Sequence, residues 1–146
     1  MYSIALVSIE IRYIDMNNFQ FGREKRLLTA QDYSAVFKDN RSFKDRSFLI
    51  LVKLVKRSDS KEQENTLDLR VPRLGLAISK KNFKRAVDRN LVKRVVRESF
   101  RRHQALLKGL DIVVMSRATT DVHNSLALHA SLEKHWEQIN KICVQS

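Results

Sequence analysis

The chain has few of the residues that staple small domains or build catalytic sites. Cys143 is the single cysteine in 146 residues. That excludes an internal disulfide and fits a reducing compartment, the cytoplasm. Proline occurs once, at Pro72, and the three glycines (Gly22, Gly75, Gly109) stand far apart. Scattered glycines build no phosphate-cradling loop, and neither a GxSxG elbow nor an HExxH helix is present. Four histidines (His103, His123, His129, His135) show no zinc spacing. His129 and His135 are six residues apart, off the i, i+4 register of a helical ligand pair, and read as surface or packing residues. Acidic residues do not gather in the DxD or ExxE pairs of two-metal nucleases. Asp111, lone in an apolar segment, is expected to bond backbone or pair with a basic residue. No apolar run approaches the ~20 residues of a spanning helix. No catalytic residue, no metal ligand and no membrane association are expected of this chain.

Basic charge is what the chain has in excess. Lys and Arg total 28 against 16 Asp and Glu, a net charge of +12, while 43% hydrophobic residues suffice for one globular domain. The excess is concentrated. From Lys80 to Arg102 ten Lys and Arg residues face only Asp88 and Glu98, a net +8. Focused charge of this kind points to a polyanionic partner. On a helix over about Val87–Leu107, Val87, Leu91, Val92, Val95, Ser99, His103 and Leu106 share one broad side. Asn90, Lys93, Arg94, Arg97 and Arg101 share the opposite one. A solvated charged face would normally intersperse Glu with Lys at i, i+4. This stripe has almost no acid, so phosphate contact by its guanidinium and ammonium groups is the favoured reading.

Thr29 with Asp32 predicts a helix N-terminus leading into Tyr33, Val36 and Phe37. Arg46–Lys56 reads as a strand paired near Phe43, residues 58–68 as a polar loop, Arg73–Ser79 and Leu110–Ser116 as further strands, and Gly109 as the stop of the basic helix. A last helix from about Asn124 to Val144 lines up Leu128, Leu132, Trp136, Ile139 and Cys143. The order α-β-β-β-α-β-α predicts an α+β fold, a two-layer α/β sandwich of one sheet with helices against it. Residues 1–20 are set apart as an N-terminal extension from a single domain over 21–146. Residues 1–15 lack a basic n-region and a small-residue cleavage site. With Met16 following, they are expected to be an upstream-start extension or a loosely docked arm.

Three blocks carry a family likeness: RLGLAISKK (73–81), AVDRNLVKRVVRESFR (86–101) and LDIVVMSR (110–117). They resemble the protein component of bacterial ribonuclease P. FGREKRLLTAQDYSAVF (21–37) is similar to that family's opening and NSLALHASLEKHW (124–136) to its closing helix. The likeness covers about Phe21 to Ile142.

The resemblance implies a left-handed β-α-β crossover around the basic helix, against the right-handed default. That topology is shared with a ribosomal-protein domain and a domain of elongation factor G. It also implies that a large RNA using Mg²⁺ is the catalyst, the metal being held mainly by that RNA. The protein would bind this RNA and the 5′ leader of precursor tRNA, with no obligate protein partner. The candidate RNA-binding residues are Lys80, Lys81, Arg85, Arg89, Asn90, Lys93, Arg94, Arg97 and Arg101. Of these, Arg89, Asn90, Lys93, Arg94 and Arg97, with Glu98, match the family signature. Leu91 stands where the family usually has a second arginine, and its place on the apolar side suggests gained packing and one lost RNA contact. A leader cleft between the first helix and the sheet is implied at Tyr33, Phe37, Leu51 and Ser79, with Lys80 beside it. Tyr33 and Phe37 could equally be core residues, and Phe48 is expected to be core. A ribosomal or chaperone-like RNA-binding protein without a role in cleavage, and a nuclease acting alone, remain alternatives.

Overall fold

A computed structural model describes residues 25–55 and 71–144. The expected N-terminal extension, with Met16, and the polar loop 58–68 lie outside the described residues.

Helix α1 (Ala30–Lys38) starts at a reciprocal cap. The Thr29 hydroxyl accepts from the Asp32 amide at 3.1 Å, and the Asp32 carboxylate accepts from the Leu28 and Thr29 amides at 3.2 Å. At its far end Asn40 Nδ2 donates to the Val36 and Phe37 carbonyls, which the helix leaves without partners. The chain then enters β1 (Arg41–Lys44) and turns into β2 (Phe48–Leu54). Asp45 makes that turn, its Oδ1 accepting from the Ser47 and Phe48 amides at 2.9 Å. The strand expected from Arg46 therefore begins two residues later.

After β3 (Arg73–Ala77) come α2 (Ala86–Arg102), a 3₁₀ turn at Gln104–Leu106, β4 (Leu110–Ser116) and α3 (Ser125–Ile139), which continues as a π-helical turn to Val144. The basic helix thus stops at Arg102, short of the expected Leu107. Gly109, at φ 81°, turns the chain into β4. The sheet order is β1-β2-β4-β3, with β1/β2 and β2/β4 antiparallel and β3/β4 parallel. Parallel neighbours need a crossover, which α2 supplies.

Alternation along the strands gives the sheet two apolar faces. Phe48, Ile50 and Val52 of β2, Leu110, Ile112 and Val114 of β4, and Leu74 of β3 face α2 and α3 in the main core. Trp136 of α3 lies edge-on to Phe100 of α2 at 6.2 Å, and its Nε1 donates to Ser99 Oγ at 2.9 Å. Leu51 and Val113 point the other way and pack with Leu27 and Val36 under α1. The Leu27 amide bonds the Leu74 carbonyl of edge strand β3, and Asn40 leads into edge strand β1, so α1 crosses the sheet between its edges. The expected two layers account for the sheet with α2 and α3, while α1 adds partial cover to the opposite face.

The buried stripe of α2 is Val92, Val95, Val96, Ser99 and Phe100. It is rotated from the expected one. Val96 and Phe100 join the core, whereas Val87 is 61% exposed and Leu91 38% exposed. Leu91 therefore gains little packing. The cause is that α3 approaches from the Val96–Phe100 side and draws the core line with it.

Candidate nucleic-acid interface

Burial of that stripe fixes which side chains of α2 meet solvent. Asn90, Arg94, Arg97, Glu98 and Arg101 line one groove of about 510 Å³ along the helix. All but Glu98 are exposed. Glu98 is held by Arg102 at 3.0 Å, leaving Arg94, Arg97 and Arg101 without a carboxylate partner among the described residues. Lys93 is half-buried at the edge of this row. Three guanidinium groups within two turns offer forked donors to successive phosphates of a polyanion.

Arg89 is placed differently. It precedes Val92 by three residues and Val96 by seven, on the buried side of α2, and is half-buried. Its Nη1 donates to the Phe83 and Lys84 carbonyls at 2.8 and 2.9 Å. Lys80, Lys81 and Arg85 are exposed on the connection between β3 and α2, with Ser79 half-buried at its start.

The second part of the site lies beside α1. Tyr33 is half-buried, its hydroxyl accepting from the Leu76 amide at 3.1 Å. Its ring lies across Gly75, where an added Cβ would stand 2.7 Å from Tyr33 Cε1, so only glycine admits this packing. Phe37 stacks on Tyr33 at 6.5 Å between centroids and is 46% exposed. Tyr33 is thus fixed by the sheet, and Phe37 presents the free aromatic face. Leu51 is only 8% exposed beneath α1, so it is floor and not surface. Phe48 points to the other side of the sheet into the main core.

The apolar surface open beside α1 comes from Leu49, Ala77 and Met115, partly buried residues packed on the small cluster. Register places them in one row, Leu49 opposite Met115 and Met115 opposite Ala77. Lys44, opposite Leu49, ends the row with a cation. Near-continuous apolarity in β2 concealed this row. Strand alternation could have separated Leu49 from Phe48, but the partners on β3 and β4 required the pairing.

One ion-pair chain anchors α1. Arg73 binds Asp111 bidentately, Nε to Oδ1 at 2.9 Å and Nη2 to Oδ2 at 2.7 Å, and lies 3.5 Å from Asp32 of the α1 cap. The lone carboxylate of β4 thus pairs with a basic residue. Burial opposes the charge of Asp32, but the Thr29 and Leu28 amides, Arg73 and the Thr29 hydroxyl together hold its pKa below the ordinary aspartate value. Hydrogen bonding to Asp111 raises the Arg73 pKa despite burial. Among the described residues no three His, Cys, Asp or Glu side chains gather to hold a metal, and no helix is long and apolar enough to cross a membrane.

A family model described as Ribonuclease P matches residues 21–140. The chain is 42% identical over 127 residues to the ribonuclease P protein component of Marinomonas sp. (strain MWYL1), covering 86% of this chain and 87% of that protein. It is 42% identical over 119 residues to that of Pseudomonas aeruginosa (strain PAO1), covering 82% and 80%. Its structure is similar to the Staphylococcus aureus RNase P protein, with a TM-score of 0.64 and 28% identity over 81% of this chain and 96% of the other. The Thermotoga maritima RNase P protein gives a TM-score of 0.57 at 28% identity, over 80% and 96%.

Proposed function

The chain belongs to the ribonuclease P protein family, and from that premise we propose how its two surfaces divide the work of removing the 5′ leader from precursor tRNA. The chain is the protein component of an endoribonuclease that acts in tRNA 5′ processing. The catalytic RNA subunit carries the active site and its Mg²⁺. The α2 row of Asn90, Lys93, Arg94, Arg97 and Arg101 binds the catalytic RNA, its cationic side chains displacing counterions condensed on the RNA phosphates. The leader lies beside α1. Phe37 stacks on an unpaired base, a contact of about 1–3 kcal/mol that asks for no particular sequence. Leu49, Ala77 and Met115 pack under the strand, while Ser79 and Lys80 mark its exit. A cytoplasmic location and the left-handed sense of the β3-α2-β4 crossover belong to the same reading. The observation that carries it is the guanidinium row, without a carboxylate partner among the described residues and exposed by the same burial that fixes the helix.

The test is reconstitution at low Mg²⁺ with protein alone, catalytic RNA alone, and both. Cleavage of precursor tRNA is expected to be efficient only with both. A protein that gives no enhancement would leave an RNA-binding role without cleavage, and cleavage by protein alone would make it a nuclease.

Leu91 supplies a second expected result. Being 38% exposed, it tolerates a longer side chain. Leu91→Arg is expected to add one phosphate contact and steepen the salt dependence of RNA binding by about 0.9 in log–log slope on duplex-like RNA. An unchanged slope in a titration across KCl concentrations would count against this.

A further inference from the structure

Of the cations matching the family signature, Arg89 has its guanidinium turned back on the protein. Both donors of Nη1 are used, at 2.8 Å to the Phe83 carbonyl and 2.9 Å to that of Lys84. Helical phase separates Arg89 from the exposed row and places it with Val92 and Val96. Its partners belong to the connection between β3 and α2, and that segment is tied at several further points. Ser116 Oγ of β4 accepts from the Ser79 amide at 3.0 Å and from Asn82 Nδ2 at 2.9 Å. Ser79 Oγ accepts from the Lys81 amide at 2.9 Å, and the Phe83 amide bonds the Ser79 carbonyl at 3.1 Å. Phe83 itself is buried in the main core. What this bracing displays is charge. Lys80, Lys81, Lys84 and Arg85 are all exposed, with no ion pair to a described carboxylate.

Four cations on a short segment repel one another, and an unbraced segment would spread them over many conformations. Fixing them before binding removes an ordering cost that binding would otherwise carry. We infer that Arg89 is a positioning residue and not an RNA contact: with Ser116 it holds the Ser79–Arg85 connection as a preorganised cationic loop for RNA phosphates. The loop begins at Ser79, beside the α1 surface, and ends where the α2 row begins. It therefore connects the two surfaces along the chain through a segment that carries four exposed cations. A lysine at position 89 would keep the charge but reach the two carbonyls with a single ammonium on a flexible stem, without the planar fork.

This rests on the chain binding RNA, so the experiment separates the two. Binding of full-length protein to the catalytic RNA is titrated across KCl concentrations for wild type, Arg89→Lys, Arg89→Ala, Ser116→Ala, Arg94→Lys and Arg94→Ala, well below each variant's unfolding midpoint. Absence of wild-type binding would sink the RNA reading itself. Given binding, Arg94→Ala is expected to lower the salt slope by about 0.7–0.9, with Arg94→Lys largely restoring it. Arg89→Lys and Arg89→Ala are expected to weaken binding alike, by about three- to tenfold, with the wild-type slope retained. Ser116→Ala, which removes no charge, should do the same. Without RNA, amide exchange at residues 80–85 should rise in the Arg89 and Ser116 variants while α3 stays protected. Rescue of affinity by Arg89→Lys, a slope loss in Arg89→Ala matching that of Arg94→Ala, or unchanged exchange at 80–85 would each overturn the inference.

Discussion

Trp136→Ala is expected to lower the free energy of unfolding by about 3–5 kcal/mol, the largest effect of any single substitution considered. Trp136 is fully buried where α3 meets α2. The cavity would remove the edge contact with Phe100 and leave the buried Ser99 hydroxyl without its indole donor. Domains of this size are stable by roughly 5–15 kcal/mol, so the variant should be close to unfolding at 37 °C. Trp136→Phe keeps most of the volume and loses mainly the hydrogen bond, for about 1–2 kcal/mol. Urea denaturation read from the midpoint at constant m-value separates the two. A loss under 1 kcal/mol for the alanine variant would show that α2 is not held through this contact. The functional consequence follows from placement: the face of α2 opposite Trp136 carries the guanidinium row, and its aim depends on how α2 is seated.

Arg73→Ala is expected to cost about 3 kcal/mol, because it strands the Asp111 carboxylate. That side chain is 7% exposed, whereas Arg73 is 34% exposed, which argues for the low end of the range for broken buried pairs. Replacing both together, Arg73→Met with Asp111→Leu, should recover most of the loss, since the cost lies in the uncompensated charge. A double variant as unstable as the single one would refute that account.

The same residue shapes the acid side of the stability curve. Asp32 and Asp45 both have folded pKa values below the ordinary aspartate value. Burial opposes the charge of Asp45, and bonds from Ser131 and the Phe48 amide, with His135 Nε2 at 3.2 Å, outweigh it. A depressed carboxylate pKa adds stability that is present above the unfolded value, near 4, and is lost as pH falls through the folded value. Stability should therefore fall below about pH 4. Arg73→Ala should flatten that fall, because Arg73 is one of the groups holding Asp32 ionised. Unfolding midpoints measured from pH 6 to pH 3 check the sign.

Much of the architecture was legible because local rules and the final fold agree. Thr29 with Asp32 forms the expected cap, Leu110–Ser116 is a strand at its expected bounds, and of the expected last-helix stripe Leu128, Leu132, Trp136 and Ile139 are buried while Cys143, in the π-helical turn, is half-buried. The misplaced residues share one cause. Val87 and Leu91 were assigned to the core by helical period alone, but a period gives spacing and not the direction from which a neighbour arrives. Phe48 entered the core as expected, but while β2 read as a near-uniform apolar run Leu51 was placed in an open cleft and Leu49 was not singled out. Pairing with β4 sorted them and brought Leu49, Met115 and Ala77 into one row.

By itself the sequence determined the charge, its concentration between Lys80 and Arg102, the scarcity of cysteine and glycine and the family to which the chain belongs. Those are properties of composition and order, and no folding changes them. Only the tertiary structure decided which of those cations face solvent. Arg94, Arg97 and Arg101 face solvent because α3 buries the opposite side of α2, while Arg89, in the same cationic run, falls on the buried side and binds backbone carbonyls. Leu51 lies under α1 and Phe37 remains open because α1 crosses the sheet between its edge strands. Exposure is set by what packs against a residue, and packing partners distant in sequence exist only once the chain has folded.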